Sequence, residues 1–119
     1  AKAFGMPVLA WSRSMSAAMA DELGIEQVES IEDLFRRADA VSLHVAYHPE
    51  TRHLVNATRL ALMKPGSILI NTSRGEVVDQ QALRQAVASG GIRAGLDVFD
   101  PEPTGGRTVQ TLNARSRSR

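Results

Sequence analysis

The chain has no cysteine among its 119 residues, which excludes disulfides and thiolate-bound metals. Aromatic residues make up only 4% of it. The interleaving of bases with aromatic side chains that marks many nucleic-acid surfaces therefore has little to draw on. No apolar run approaches the ~20 residues a helix needs to cross a bilayer, and no signal-peptide pattern opens the sequence. These absences lead to the expectation of a soluble, cytoplasmic globular domain without membrane or nucleic-acid partners, and no metal site is expected. Charge of one sign is lacking too, since the formal net charge is only +1. That near-neutrality conceals a split: all 13 acids lie within residues 1–103, whereas 104–119 carry four arginines and no acid.

What is present alternates in character along the chain. Ala1–Phe4 reads as the last turn of a helix stopped by Gly5 and Pro7. Val8–Trp11 has the length and composition of a strand, and Ser14–Leu23 those of a helix closed by Gly24. Ser30 opens a second helix through Arg37, with Asp33 in the capping-box position. Ala40–Val45 is strand-like, His48–Thr51 a turn, and Asn56 caps a helix through Met63 that Lys64-Pro65-Gly66 stops. Ser67–Asn71 is a nearly all-apolar strand, Asp79 caps a helix over Gln80–Ala88, and a last strand lies within Ile92–Phe99. Strands alternating with helices of about ten residues predict an α/β, doubly wound parallel sheet. Apolar rather than alternating strands suggest cover on both faces. Residues 104–119 bury too little to order themselves and are expected to form a disordered basic tail.

In open α/β sheets ligands bind beyond the carboxyl ends of the strands. The residues that follow the predicted strands are Ser12-Arg13-Ser14, His44-Val45-Ala46, Asn71-Thr72-Ser73-Arg74-Gly75, and Asp97 with Glu102. Hydroxyls, guanidinium groups and carboxylates thus recur along one rim. Arg74 can clamp a carboxylate through two parallel hydrogen bonds, and Gly75 permits a tight backbone turn beside it.

Met63-Lys-Pro-Gly-Ser-Ile-Leu-Ile-Asn-Thr-Ser-Arg-Gly-Glu-Val-Val-Asp79 resembles a signature of the D-isomer-specific 2-hydroxyacid dehydrogenases. Ala40–Val45, His48–Val55 and Ala94–Pro103 agree with the same family in order and approximate spacing. The resemblance covers about residues 1–103 and implies a Rossmann-type dinucleotide-binding domain. It further implies hydride transfer between NAD(H) or NADP(H) and a small 2-oxo or D-2-hydroxy acid, in a homodimeric parent enzyme.

Carried over by position, the resemblance makes Arg74 the substrate arginine and a cofactor-binding position as well, and Glu102 the acid that pairs with a catalytic histidine, raising its pKa. Asp97 would hold the nicotinamide carboxamide. Thr51, Thr72 and Ser73 match cofactor-contacting positions. Val45-Ala46 falls where the family has Val-Pro against the adenosine, Ala46 being a departure. At the end of the first strand, Ser12 stands where an acid normally meets the ribose 2′-hydroxyl, and Arg13 follows it. The balance there leans towards NADP, because Ser12, Arg13 and Ser14 can all donate to a 2′-phosphate.

Two family features do not occur in this sequence: the G-x-G-x-x-G loop, expected just before Ala1, and a Pro-His-x-Gly after Glu102. None of His44, His48 or His53 has that context. The sequence therefore reads as a fragment of such an oxidoreductase, with its first strand and Gly-rich loop missing. A catalytically inactive remnant or a dinucleotide-fold interaction module is the alternative.

Overall fold

The structure, a computed structural model, describes residues 1–101. Local sequence sets most of its helices. Ser16 Oγ accepts from Met19 N–H at 3.1 Å and opens α1 (Ala17–Leu23), which Gly24 ends with φ at 65°. Ser30 Oγ accepts from Asp33 N–H at 3.1 Å and opens α2 (Ile31–Arg37). The Asp33 carboxylate reaches forward to Arg37 at 3.2 Å, so only one arm of the expected capping box is used in that direction. Asn56 caps α3 (Ala57–Leu60), and Asp79 accepts from two backbone N–H groups at the start of α4 (Gln80–Ala88). A 3-10 turn over Lys2–Phe4, ending at Gly5, replaces the expected α-helical turn.

The strands are β1 (Leu9–Ala10), β2 (Glu26–Gln27), β3 (Ala40–Leu43), β4 (Ile68–Asn71) and β5 (Arg93–Leu96). All pairings are parallel, as the alternation of elements predicted. They form two groups, β1 with β2 and β3-β4-β5, with no hydrogen-bonded ladder between β1 and β3 among the described residues. Sequence gives no warning of β2. It has two polar residues and exists because Glu26 N–H and Val28 N–H donate to Val8 and Ala10 carbonyls at 2.9 and 3.0 Å. Strands β1, β3 and β4 are shorter than expected, and so are two helices. Helix α1 starts at Ala17, because Ser16 rather than Ser14 is the cap, and α3 stops after Leu60.

The core lies on one side of the larger sheet. Val41 and Leu43 of β3 and Leu69 of β4 are buried there with Val55, Val77, Val78, Leu83 and Phe35. The other face is less covered among the described residues: Ile68 and Ile70 of β4 are half-buried there. Along β3, Val41 and Leu43 are buried while Ala40 and Ser42 are exposed. Ser42 and His44, on that exposed side, share a 2.8 Å hydrogen bond. No helix in the described residues is long and apolar enough to cross a membrane. The expected basic tail, 104–119, lies outside the described residues.

Candidate functional site at the carboxyl ends of the strands

Register brings the site together. Leu43, Asn71 and Leu96 occupy one row across β3, β4 and β5. The next residues, His44, Thr72 and Asp97, therefore leave the sheet at the same rim, and Asp97 N–H donates to the Asn71 carbonyl at 3.0 Å. The segment after β1 joins them through one contact: Arg13 Nη1 lies 2.6 Å from Glu50 Oε2, in the turn that follows β3. Ser12–Ser14, Val45-Ala46, Thr72–Arg74 and Asp97 thus share the carboxyl end of the strands, where a doubly wound sheet binds ligands.

Asn71 organises the centre of this rim, where sequence reasoning placed it at the strand end without giving it a role of its own. Its side chain is wholly buried and hydrogen-bonded at both its oxygen and its nitrogen. Oδ1 accepts from Ser73 N–H at 3.0 Å and Ser73 Oγ–H at 2.7 Å, and Nδ2 donates to the Arg74 carbonyl at 2.9 Å. An asparagine that bonds the backbone just ahead of it replaces the sheet ladder with a closed turn. That turn holds the Arg74 backbone from below and leaves the Arg74 side chain exposed. Among the described residues the Arg74 guanidinium meets no acid.

Gly75 has a sharper requirement than the tight turn foreseen for it. A Cβ here would fall 2.1 Å from both the carbonyl carbon and oxygen of Phe99, and 2.7 Å from Asp100 N. Only glycine lets the backbone beside Arg74 lie against the 99–100 segment. A third strand of chain closes the same junction. His53 and Val55 N–H donate to the Glu76 and Val77 carbonyls at 2.9 and 3.0 Å, and Asp79 N–H returns to Val55 at 2.9 Å. His53 takes up the left-handed conformation, φ 50°, to make that approach. Arg52 Nη1 stands 3.9 Å from Asp100 Oδ2.

The remaining sites expected from sequence differ in what their side chains are doing. Thr51 is buried, and its hydroxyl is spent on its own turn: it donates to the Ala46 and His48 carbonyls and accepts from His48 N–H at 2.8 Å. Ser73 is likewise committed to Asn71. Thr72 and Asp97 are exposed at the rim. Val45 packs half-buried against the core, and Ala46 is exposed beside it. Ser12 Oγ accepts from Ser14 N–H at 3.3 Å and lies 3.4 Å from Ser14 Oγ, which sets Arg13 at the tip of a small turn. Glu102 lies outside the described residues.

Behind the rim, Arg59 ties α3 to α2 and to the chain entering the junction. Its Nη2 and Nε donate to Glu32 Oε1 at 2.9 and 3.1 Å, and Nη1 donates to the Leu54 carbonyl at 2.6 Å. The Glu32 carboxyl is held below the usual carboxylate range, first by a backbone hydrogen bond in the opening turn of α2 and then by Arg59. Arg37 is pushed up by its bonds to Asp33 and Glu26.

Known proteins share the sequence pattern and fold of this chain. The family described as D-isomer specific 2-hydroxyacid dehydrogenase, NAD binding domain, matches residues 1–114. The D-3-phosphoglycerate dehydrogenase of Methanocaldococcus jannaschii is 40% identical over 95% of this chain and 22% of its own length. The glyoxylate reductase of Thermococcus litoralis is 48% identical over 87% of this chain and 31% of its own. Among solved structures, D-mandelate dehydrogenase of Rhodotorula graminis superposes with a TM-score of 0.78 at 41% identity, over 86% of this chain and 30% of that one. D-lactate dehydrogenase of Aquifex aeolicus, solved with NAD and lactic acid, gives 0.75 at 42%, over 83% and 29%. The chain spans between about a fifth and a third of the length of these relatives. With its parallel strands and its family signature on the rim, the chain belongs to the D-isomer specific 2-hydroxyacid dehydrogenase family, as its NAD-binding domain.

Proposed function

We propose that this domain serves an oxidoreductase that interconverts small 2-oxo acids and D-2-hydroxy acids, with NAD(H) or NADP(H) as the hydride carrier. One observation carries the reading. Arg74 is presented at the strand-end rim by a buried, hydrogen-bonded asparagine and a sterically required glycine, with no internal acid among the described residues to neutralise it. A guanidinium held in that way suits a carboxylate, which it can bind bidentately while polarising the adjacent oxo group.

The donor set fits a dinucleotide. Ser12, Arg13, Val45 and Ala46 line the side suited to the adenosine, and Thr72 and Asp97 stand exposed where the nicotinamide end would lie. Thr51 and Ser73 act through the backbone they hold, since their hydroxyls are already used. The cofactor supplies the hydride, and the protein supplies orientation and charge. Glu102 is assigned to the acid that pairs with a histidine proton donor, and the working assembly to a homodimer.

The test is turnover of glyoxylate, hydroxypyruvate and pyruvate, with NADH and with NADPH, in the protein that carries this domain. Arg74→Ala is expected to lower kcat/KM by roughly 10²-fold, the loss of a charge-assisted contact of ~1.5–3 kcal/mol together with weaker polarisation. Cofactor affinity should stay within about twofold. Unchanged kcat/KM in Arg74→Ala would refute the assignment.

A further inference from the structure

The Arg13–Glu50 pair carries a consequence for which cofactor the domain takes, and it rests on the reading that the adenosine end lies at Ser12–Ser14. By itself, the segment after β1 has the donors of a 2′-phosphate site and no acid to oppose one. The structure puts the acid back from a different element. Glu50 belongs to the turn after β3, yet its Oε2 sits 2.6 Å from Arg13 Nη1, on the guanidinium that a 2′-phosphate would need. We infer that Glu50 is a specificity-determining residue: it occupies Arg13, repels a 2′-phosphate, and sets this domain towards the unphosphorylated ribose of NAD.

Both ends of the contact are held by backbone. The turn bearing Glu50 is closed by Thr51, whose hydroxyl and N–H bond to Ala46 and His48. The turn bearing Arg13 is closed by Ser12 and Ser14. The carboxylate is therefore delivered to the tip of the Ser12–Ser14 turn by the fold, and not only by a flexible side chain. It acts on Arg13 and on the charge around it, and makes no contact that an unphosphorylated ribose needs. Both side chains keep most of their solvent exposure, 61% for Arg13 and 72% for Glu50. An exposed pair is weak enough for a competing dianion to contest. The bias is thus one of modest size, and a single substitution should reverse it.

The protein that carries this domain is titrated with 5′-AMP and with adenosine 2′,5′-bisphosphate, followed by ligand-observed NMR. The sequence as it stands should bind 5′-AMP at least as tightly as the bisphosphate. Glu50→Gln should tighten the bisphosphate by about 3–10-fold, the size expected when an exposed ion pair and its repulsion are removed, and leave 5′-AMP nearly unchanged. Adding Arg13→Ala to Glu50→Gln should cancel the gain, and raising the salt should shrink it. Circular dichroism checks that each variant folds. If 5′-AMP binds but Glu50→Gln leaves the ratio unchanged, or the parent sequence already prefers the bisphosphate, the role of Glu50 is wrong while the nucleotide reading stands. If neither ligand binds to any folded variant, the adenosine site at this rim is itself refuted.

Discussion

The two strand groups of this domain are built to different standards. On the β3-β4-β5 side every strand has four residues, and Leu69, Leu83, Val55, Val77 and Val78 are completely buried. On the β1-β2 side each strand has two residues. Ala20 and Val28 are the buried apolar side chains of α1 and the β2 exit, while Phe4, Met6, Met19 and Leu23 stay exposed. The first side carries Arg74, Thr72 and Asp97, and the second carries Ser12 and Arg13. Chemistry at a carboxylate and a hydride needs atoms placed to a fraction of an ångström. Choosing between two ribose forms needs only a charge of the right sign nearby. Under the function we propose, the division of packing follows a division of tasks.

The largest effect should come from the well-packed side. Leu83→Ala removes a fully buried side chain and should cost ~2–5 kcal/mol, measured by denaturant unfolding. Hydrogen exchange then asks whether the two sides are as different as their packing. Amides of β4 and β5 should open only with the whole domain, whereas those of Glu26 and Val28 should exchange by local opening. Equal protection on both sides would break the comparison.

Gly75→Ala should have the next largest consequence. The new methyl would overlap the Phe99 carbonyl, so either the 99–100 segment or the Arg74 turn must shift, at a cost of ~1–3 kcal/mol. The shift should appear as nuclear magnetic resonance changes at Phe99 and Asp100, with little change at Ser12–Ser14. Changes confined to residues 74–76 would mean that Gly75 does not tie the two segments together.

The smallest effect concerns pH. Glu32 has its pKa lowered on folding, so its contribution is present above the ordinary carboxylate range and lost as the pH falls through its folded value. Glu32→Gln should therefore be slightly less stable than the parent at neutral pH. The gap should close in acid, as both forms come to carry a neutral side chain. A gap that stays constant down to the acid range would assign the loss to packing with Arg59 rather than to charge.

Much of this was legible in the sequence because it depends on neighbours along the chain. Ser30, Asn56 and Asp79 announce helix starts since a side-chain oxygen reaches N–H groups two or three residues ahead. The run Ser67–Asn71 announces a buried strand, and the signature from Met63 to Asp79 announces the family. Strand β2 was not legible. Its two polar residues have no strand signal and are extended only because β1 offers carbonyls at the right spacing. Nor was the reach of Gly75 towards Phe99, whose cause lies 24 residues downstream.

The alternation of elements, the parallel sheet and the set of groups at its carboxyl edge were all readable from the order of residues. Each follows from local periodicity, capping and turn chemistry. Tertiary structure alone decided how those groups are used. It buried Asn71 beneath Arg74 and left that arginine without an acid among the described residues. It gave Arg13, whose local context suits a phosphate, the carboxylate of Glu50 from 37 residues away. A side chain's availability depends on what lies within about 3 Å of it, and in a parallel sheet those neighbours come from strand ends that are distant in sequence.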